Sequence, residues 1–313
     1  MIKKIKSYVL DHFNDEVWMF KFTTGLKFIL ITTGFTFSVI LFTYLILKID
    51  LIYFVANGYP GASEFQEAFY AYITSSLDDM IVYFVLAIFF IFALGFYLST
   101  IMLRPFKVIS DFCESRMENK EKYYSPDYLS DLKLLTSFSV FFFSRIDEAK
   151  LKGRLEKIEI PVEYTRIHKP IFEKNFFFNY FFIIIIFALL TSLGIFVLNN
   201  TIREQVFQIS GNFTSHYALG TKTFRFFIEE QFQVADIAVK FFIWLHVLMY
   251  CLLGAHLYGK VSGPSFAVFA TMRSFLKGNY HNRIHLIGHY YLRDDCRKIN
   301  KYLDHIQKTL PLD

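Results

Sequence analysis

Four long apolar stretches alternate with polar segments along the 313-residue chain. Each contains more than twenty residues, and about 20 helical residues cross the ~30 Å hydrocarbon core of a bilayer. The pattern therefore predicts four transmembrane helices in an all-α membrane protein, over residues 28–49, 80–103, 176–198 and 237–257. The polar segments 50–79 and 199–236 are predicted to be short external loops, the second with helical runs that prolong its spans.

A different periodicity marks the last part of the chain. Apolar residues recur there at alternating spacings of four and three, which is typical of the seam of a helix in a parallel coiled coil; they are Leu292, Cys296, Ile299, Leu303, Ile306 and Leu310. Upstream, Pro264 is predicted to open a short helix over residues 265–277, and a non-helical connector over 278–290 separates the two helices.

This order of span, proline, short helix, connector and heptad helix resembles a HAMP domain, the relay module beneath the membrane spans of bacterial receptors and histidine kinases. The matching residues are Pro264, Ile284 and Ile287 as buried connector positions, Asp294 at the start of the second helix, and Asn300 within it. One departure is that the acidic pair typical of this start reads Arg293, Asp294, Asp295, without glutamate.

The same order of elements occurs once more in the first half of the chain. Arg104-Pro105-Phe106 follows the second span, and residues 128–131, ending at Asp131, echo residues 291–294. A second seam follows in a shifted register, with Leu132, Leu135, Ser139, Phe142, Ile146 and Ala149. We interpret this as a diverged internal duplication; the alternative is two unrelated membrane hairpins with a chance match.

The duplication carries a consequence for assembly. The resemblance implies a parallel four-helix bundle, which HAMP domains normally assemble from two identical chains. Here one chain carries both helix pairs and can build the bundle as an intramolecular pseudo-dimer. The predicted organisation is an amphipathic segment 1–26, a hairpin 27–103, a HAMP-like module 104–149, a linker 150–175, a second hairpin 176–260 and a second module 261–313.

Charge sets the predicted orientation. Residues 104–175 carry fourteen Lys and Arg, whereas residues 50–79 carry none. Because inner loops are enriched in basic residues, both termini are predicted to be cytoplasmic, in a bacterial inner membrane. The net charge of +5 follows from this topology, so nucleic-acid binding is not expected.

Catalytic chemistry is not indicated. The sequence contains no P-loop, nucleophile elbow or kinase nucleotide-binding motif, and we do not expect an output domain after Leu310. His246 and His256 lie about 80° apart on one predicted helix and do not share a face. His281, His285 and His289, with Cys296, leave a zinc site open as an alternative to solvated connector residues. No cofactor and no metal is expected.

The sequence thus predicts a non-enzymatic relay or scaffold that couples membrane helices to an unknown cytoplasmic or membrane protein, with the lipid bilayer as its other partner. The expected signalling and packing residues are Pro105, Pro264, Asp131, Asp294, Leu292, Ile299, Asn300, Leu303 and Ile306. Two alternatives stay open: a structural membrane subunit of a motor, secretion or transport complex, and a redox or metal-binding membrane subunit.

Overall fold

The computed structural model describes residues 15–58, 61–118, 123–126, 132–165, 172–217 and 221–311. Asp131, residues 128–130 and most of the predicted amphipathic segment 1–26 lie outside these ranges. The described residues form helices without a β-strand. The helices are α1 (Glu16–Ala56), α2 (Ala62–Met117), α3 (Lys133–Lys152), α4 (Val162–Thr165), α5 (Lys174–Tyr217), α6 (Thr221–Leu276) and α7 (Arg293–Thr309), with a 3₁₀ turn at Tyr290–Leu292.

The prediction of an all-helical membrane protein is confirmed in its coarse form. Among the described residues, four helical segments are long and apolar enough to cross a membrane: Glu16–Ala56, Ile81–Met117, Lys174–Gln208 and Phe232–Leu276. These segments are longer than the predicted spans. The expected external loops are in fact largely helical, since α1 ends only at Ala56 and α2 begins at Ala62. Gly58 and Gly61, both with positive φ, lie in the turn between these helices.

Both prolines lie inside continuous helices, which corrects one expectation. Pro105 is within α2 and Pro264 is within α6, so no separate helix begins at either residue. A proline inside a helix removes one backbone hydrogen bond but does not end the helix when the freed carbonyl finds another donor. The predicted module starts at residues 104 and 261 therefore fall within long helices.

The chain divides into two compact units, and each long helix contributes residues to both. The bundle unit comprises Met1–Gly25, Leu94–Phe182 and Leu253–Asp313, and the span unit comprises Leu26–Ala93 and Ile183–Leu252.

The span unit is held together by apolar clusters and a few buried polar contacts. Val39, Ile195 and Val239 form one such cluster. The Tyr250 hydroxyl lies 2.6 Å from Thr32 Oγ1 and donates to the Phe28 carbonyl at 2.9 Å. Many large apolar side chains of this unit are exposed, as expected for helices that face lipid.

In the bundle unit, the short helices α3 and α7 bury one stripe each. All six residues of the predicted α7 seam and all six of the α3 seam are buried. The 26-residue linker is not a plain tether, because Leu155 and Ile160 are buried and the Ile158 amide donates to the Leu276 carbonyl. The stripes of α3 and α7 are therefore internal surfaces of this unit.

The end of α2 contacts both short helices. Against α3, Phe112 packs on Phe143 with ring centroids 4.5 Å apart, and Arg116 pairs with Asp147 at 2.7 Å. Residue numbers rise together along the two helices, so these segments run in the same direction. The same holds against α7, as shown by the pairs Ser110–Asp295 at 2.6 Å and Glu114–Lys298 at 2.7 Å.

The end of α6 packs on α3 in the same sense. Phe269 lies 4.6 Å from Phe138 and Phe275 lies 6.2 Å from Phe142, measured between ring centroids. Phe143 and Tyr302 join α3 to α7, at 6.0 Å between centroids. The four segments are thus linked by side-chain contacts, and the three pairs with two or more contacts are parallel.

Burial in the bundle unit repeats along the chain. Positions 159 apart, the separation of Pro105 and Pro264, are buried in both α2 and α6: Met102 and Val261, Phe106 and Ser265, Ile109 and Val268, Cys113 and Met272. Positions 160 apart match in α3 and α7: Leu132 and Leu292, Ser139 and Ile299, Phe142 and Tyr302, Phe143 and Leu303, Ile146 and Ile306. The predicted echo of residues 128–131 with 291–294 is three positions away from this register.

We expect Leu303→Asp to unfold the bundle unit, because Leu303 is fully buried and an unpaired buried carboxylate costs several kcal/mol, roughly 4 or more. Membrane insertion should be unchanged. Limited proteolysis of the detergent-solubilised protein measures the effect, with Lys301→Asp on the exposed face of α7 as the matched control. Equal protease resistance of the two variants would contradict the packing described here.

Candidate functional site

The start of α7 meets two other helices at what we call the α7 junction, formed by Glu16, Phe20, Lys260, Tyr291 and Arg293. The Tyr291 ring stacks on Phe20, with centroids 4.2 Å apart. Arg293 pairs with Glu16 at 3.3 Å, but both side chains are largely exposed, so this ion pair contributes little. The buried Tyr291 is therefore the main connection of α7 to α1 and α6.

Pro264 explains why a tyrosine is needed at this position. In a helix, the Lys260 carbonyl would accept the amide hydrogen of the residue four positions later, and Pro264 has no such hydrogen. The Tyr291 hydroxyl donates to the Lys260 carbonyl instead, at 2.8 Å. Burial raises the pKa of Tyr291, so the phenol stays protonated and able to donate.

His289 completes the bonding of the phenol. Its Nδ1 lies 2.8 Å from the Tyr291 oxygen. Because the phenol hydrogen is used on Lys260, His289 donates from Nδ1, and this fixes its neutral tautomer. Burial, with Lys260 nearby, lowers the pKa of His289 and favours that neutral form.

The start of α3 is held in a second place, the α3 junction, formed by Leu134, Leu135, Phe172, Glu173 and Tyr258. The Glu173 carboxylate accepts from the backbone amides of Leu134 and Leu135, at 3.0 and 2.7 Å. These amides belong to the first turn of α3, whose N–H groups have no partner within the helix. Glu173, directly before α5, thus supplies the N-terminal cap of α3.

Glu173 is held in an unusual state. Its side chain is 6% exposed, and its φ of 56° is positive, which is costly for a residue other than glycine. Burial raises the pKa of Glu173, while the two backbone N–H donors oppose that rise. Phe172 is fixed as well, because its carbonyl accepts from Tyr258 of α6 and its ring packs edge-on against Phe266.

The two junctions share one arrangement. The residues just before the first span of each hairpin bind the short helix of the other half: α1 contacts the start of α7, and the residue before α5 caps α3. A shift of α1 relative to α7, or of α5 relative to α3, therefore strains a contact at the start of a short helix.

The predicted signalling residues are placed as follows. Ile299, Leu303 and Ile306 are buried on α7, and Leu292 is buried in the 3₁₀ turn directly before it. Asn300 exchanges two hydrogen bonds with the backbone of Ile284, at 2.9 and 3.0 Å, and so ties the connector to α7.

Two expectations near the start of α7 need correction or refinement. Ile287 is 95% exposed, so its prediction as a buried connector residue is wrong, because the chain turns outward at Gly288 with φ of 78°. The Asp294 side chain is 86% exposed, and its Oδ1 lies 3.6 Å from Arg297 Nη1. Its neighbour Asp295 instead accepts from Ser110 of α2, and burial raises the pKa of Asp295.

The histidines have separate environments. His246 is buried in the span unit, with Nδ1 2.9 Å from Ser192 Oγ. His281 and His285 are exposed, and His281 lies 3.1 Å from Gln307. Within the part of the chain that the structure describes, no group of three or more His, Cys, Asp or Glu side chains is arranged to hold a metal ion.

Sequence reasoning missed Glu173, Tyr291 and Phe20. A signal for Tyr291 was present, since a proline inside a helix leaves a carbonyl four residues earlier that needs a donor. The donor itself lies 31 positions away in sequence. Glu173 gave no local signal, because the helix that it caps is 38 positions away.

We expect a double-mutant cycle to show that Tyr291 and Pro264 are energetically coupled. Tyr291→Phe should lower the free energy of unfolding by about 1–3 kcal/mol, because it leaves the Lys260 carbonyl without a donor. In a Pro264→Ala background, the new amide at position 264 supplies that donor, and the cost should fall by roughly 1 kcal/mol or more. Urea unfolding in detergent measures both.

Pro105→Ala provides the matched control background. This substitution also restores a backbone amide at a proline position, but it does so in α2. The Tyr291 hydroxyl is bonded to α6. Tyr291→Phe should cost the same in this background as in the unmodified protein. Equal costs in all three backgrounds would show that the Lys260 carbonyl is not the relevant partner of Tyr291.

Comparison with known proteins adds no relative to this description. No protein-family model matches the chain, no curated protein matches it, and no solved structure matches it.

Proposed function

We propose that this protein is a non-enzymatic membrane relay in which two HAMP-like modules of one chain form a single parallel four-helix bundle. Its first helices are the ends of α2 and α6, and its second helices are α3 and α7. The observation that carries the proposal is the crossed arrangement of the two junctions, in which each short helix is bonded to the residues before a span of the other half.

The internal duplication is part of this proposal. Its support is the repeat of buried positions at separations of 159 and 160, together with parallel contacts of α2 with α3 and α7, and of α6 with α3. A bundle of this kind normally needs two chains. Here contacts between the two halves of one chain, such as Ser110 with Asp295, take the place of contacts between subunits.

Switching would act through the junctions. A displacement of α1 is passed by Tyr291 to the start of α7, and a displacement of α5 is passed by Glu173 to the start of α3. Because packed helices exchange between discrete arrangements, a small shift at each start would favour one of two packings of the bundle. A partner protein would then bind the exposed faces of α3 and α7 in only one of them.

The proposed location is a bacterial inner membrane with both termini in the cytoplasm, which the basic segment 104–175 supports. The alternative function, a structural subunit of a larger motor, secretion or transport complex, uses the same bundle as a fixed docking surface. The two functions differ in one measurable property, the number of bundle packings.

We expect distances between α3 and α7 to show two populations whose ratio depends on the junctions. Spin labels at Leu151→Cys and Lys308→Cys, both exposed, report this distance by pulsed electron paramagnetic resonance. Cys113, Cys251 and Cys296 are replaced by Ala, and the protein is reconstituted in vesicles. Tyr291→Phe and Glu173→Gln should each change the population ratio by about fivefold, since each removes roughly 1 kcal/mol of bonding at the start of a short helix in one of the two packings.

Tyr123→Phe is the matched control, because Tyr123, between α2 and α3, is 93% exposed and is not part of either junction. It should leave the ratio unchanged. A single distance that neither junction variant alters would contradict the relay and favour the fixed docking surface.

A further inference from the structure

The connector before α7 turns an apolar tip outward between two buried ends. Ile287 is 95% exposed and Tyr290 is 54% exposed, whereas Ile284 and Tyr291 on either side are buried. The turn is built into the chain, because Gly288 adopts a φ of 78° that a residue with a side chain rarely adopts. The exposed tip is therefore held in place by its fixed flanks.

The end of this tip lies close to the membrane boundary. The Tyr291 hydroxyl binds the Lys260 carbonyl, and Lys260 is three residues beyond Leu257, where the apolar stretch of the fourth span ends. Three helical residues advance the chain by about 4.5 Å. The headgroup layer outside the hydrocarbon core is roughly 5–8 Å thick on each side, so Tyr291 lies at its depth.

The charge of the connector fits a lipid surface. Residues 278–292 contain three histidines and no Asp or Glu, and the arginine among them, Arg283, is mostly buried and paired with Asp304. Lys260 adds a basic residue at the same end, whereas Arg293 is paired with Glu16. An exposed tyrosine and an exposed aliphatic residue close to a lysine, in a segment that itself contains no acidic residue, are typical of membrane-surface segments at headgroup level.

We propose that Ile287 and Tyr290 form a membrane-surface anchor, which inserts into the headgroup layer of the bilayer at the end of the fourth span. The anchor fixes the level of the start of α7 relative to the lipid. The anchor depends on membrane insertion of the four apolar helices and not on the relay function. The test of the anchor is therefore independent of the test of the relay.

The test places a tryptophan at the tip and measures its contact with lipid. Trp18→Phe and Trp244→Phe remove the native tryptophans, and Tyr290→Trp or Ile287→Trp introduces one probe into the full chain. The protein is reconstituted in vesicles of phosphatidylcholine and phosphatidylglycerol, with or without a lipid that carries a nitroxide on its headgroup. Acrylamide in the buffer measures exposure to water.

Leu151→Trp is the matched control. Leu151 is 91% exposed and apolar, like Ile287, but it is in the last turn of α3 near the C-terminal end of α7. The Leu155 amide binds the Pro311 carbonyl at that end. The 17 residues of α7 separate the two ends by about 25 Å, at 1.5 Å per residue.

We expect the nitroxide lipid to reduce emission of the probes at 287 and 290 by at least about twofold, because an interfacial segment inserts its apolar side chains into the headgroup/acyl boundary, beside the nitroxide. The probe at 151 should change little and should be the one that acrylamide quenches more. The anchor is overturned if the tip probes respond like the probe at 151, whether all three are quenched by the lipid or none is. Protection of the tip from both quenchers would instead indicate a protein contact and would also overturn it.

Discussion

The apolar stripes of α3 and α7 are the constraint on which the bundle unit depends. Each stripe holds six buried residues, and an aliphatic or aromatic side chain gains about 1.5–3 kcal/mol when it leaves water. Neither short helix can hide its stripe alone. The ends of α2 and α6 cover them, and since these ends continue from apolar spans, covering the stripes fixes the short helices to the membrane helices.

The two junctions fix where the short helices α3 and α7 begin. A proline inside α6 leaves the Lys260 carbonyl free, and Tyr291 binds it, so a local defect in one helix becomes the attachment point of another. Glu173 attaches α3 in a similar way: its carboxylate accepts from amides in the first turn of α3, 38 positions earlier in the sequence. In both cases a backbone group that lacks its helical partner, the Lys260 carbonyl within α6 or the first amides of α3, is satisfied by a distant side chain, and this bond sets the position of the short helix.

The periodic part of this structure could be predicted from the sequence, and the connecting part could not. Helical periodicity identified the stripe from Leu292 to Leu310, and apolar length identified the four spans. A proline predicts a helix start because its missing amide is visible locally in the sequence, whereas the donor that compensates for it, the Tyr291 hydroxyl at Lys260, is distant. Ile287 was expected to be buried from its apolar character alone, but the left-handed turn at Gly288 directs it outward.

The measurement that tests the central claim most directly is a crosslink between the two halves of one chain. Ser110→Cys and Asp295→Cys replace two side chains that are hydrogen-bonded, with Ser110 Oγ 2.6 Å from Asp295 Oδ1. The native cysteines are changed to Ala. The account predicts a crosslinked monomer in vesicles, and no crosslinked dimer when the two single-cysteine variants are mixed before reconstitution. A crosslink that forms only between chains would contradict the claim that a single chain builds the bundle.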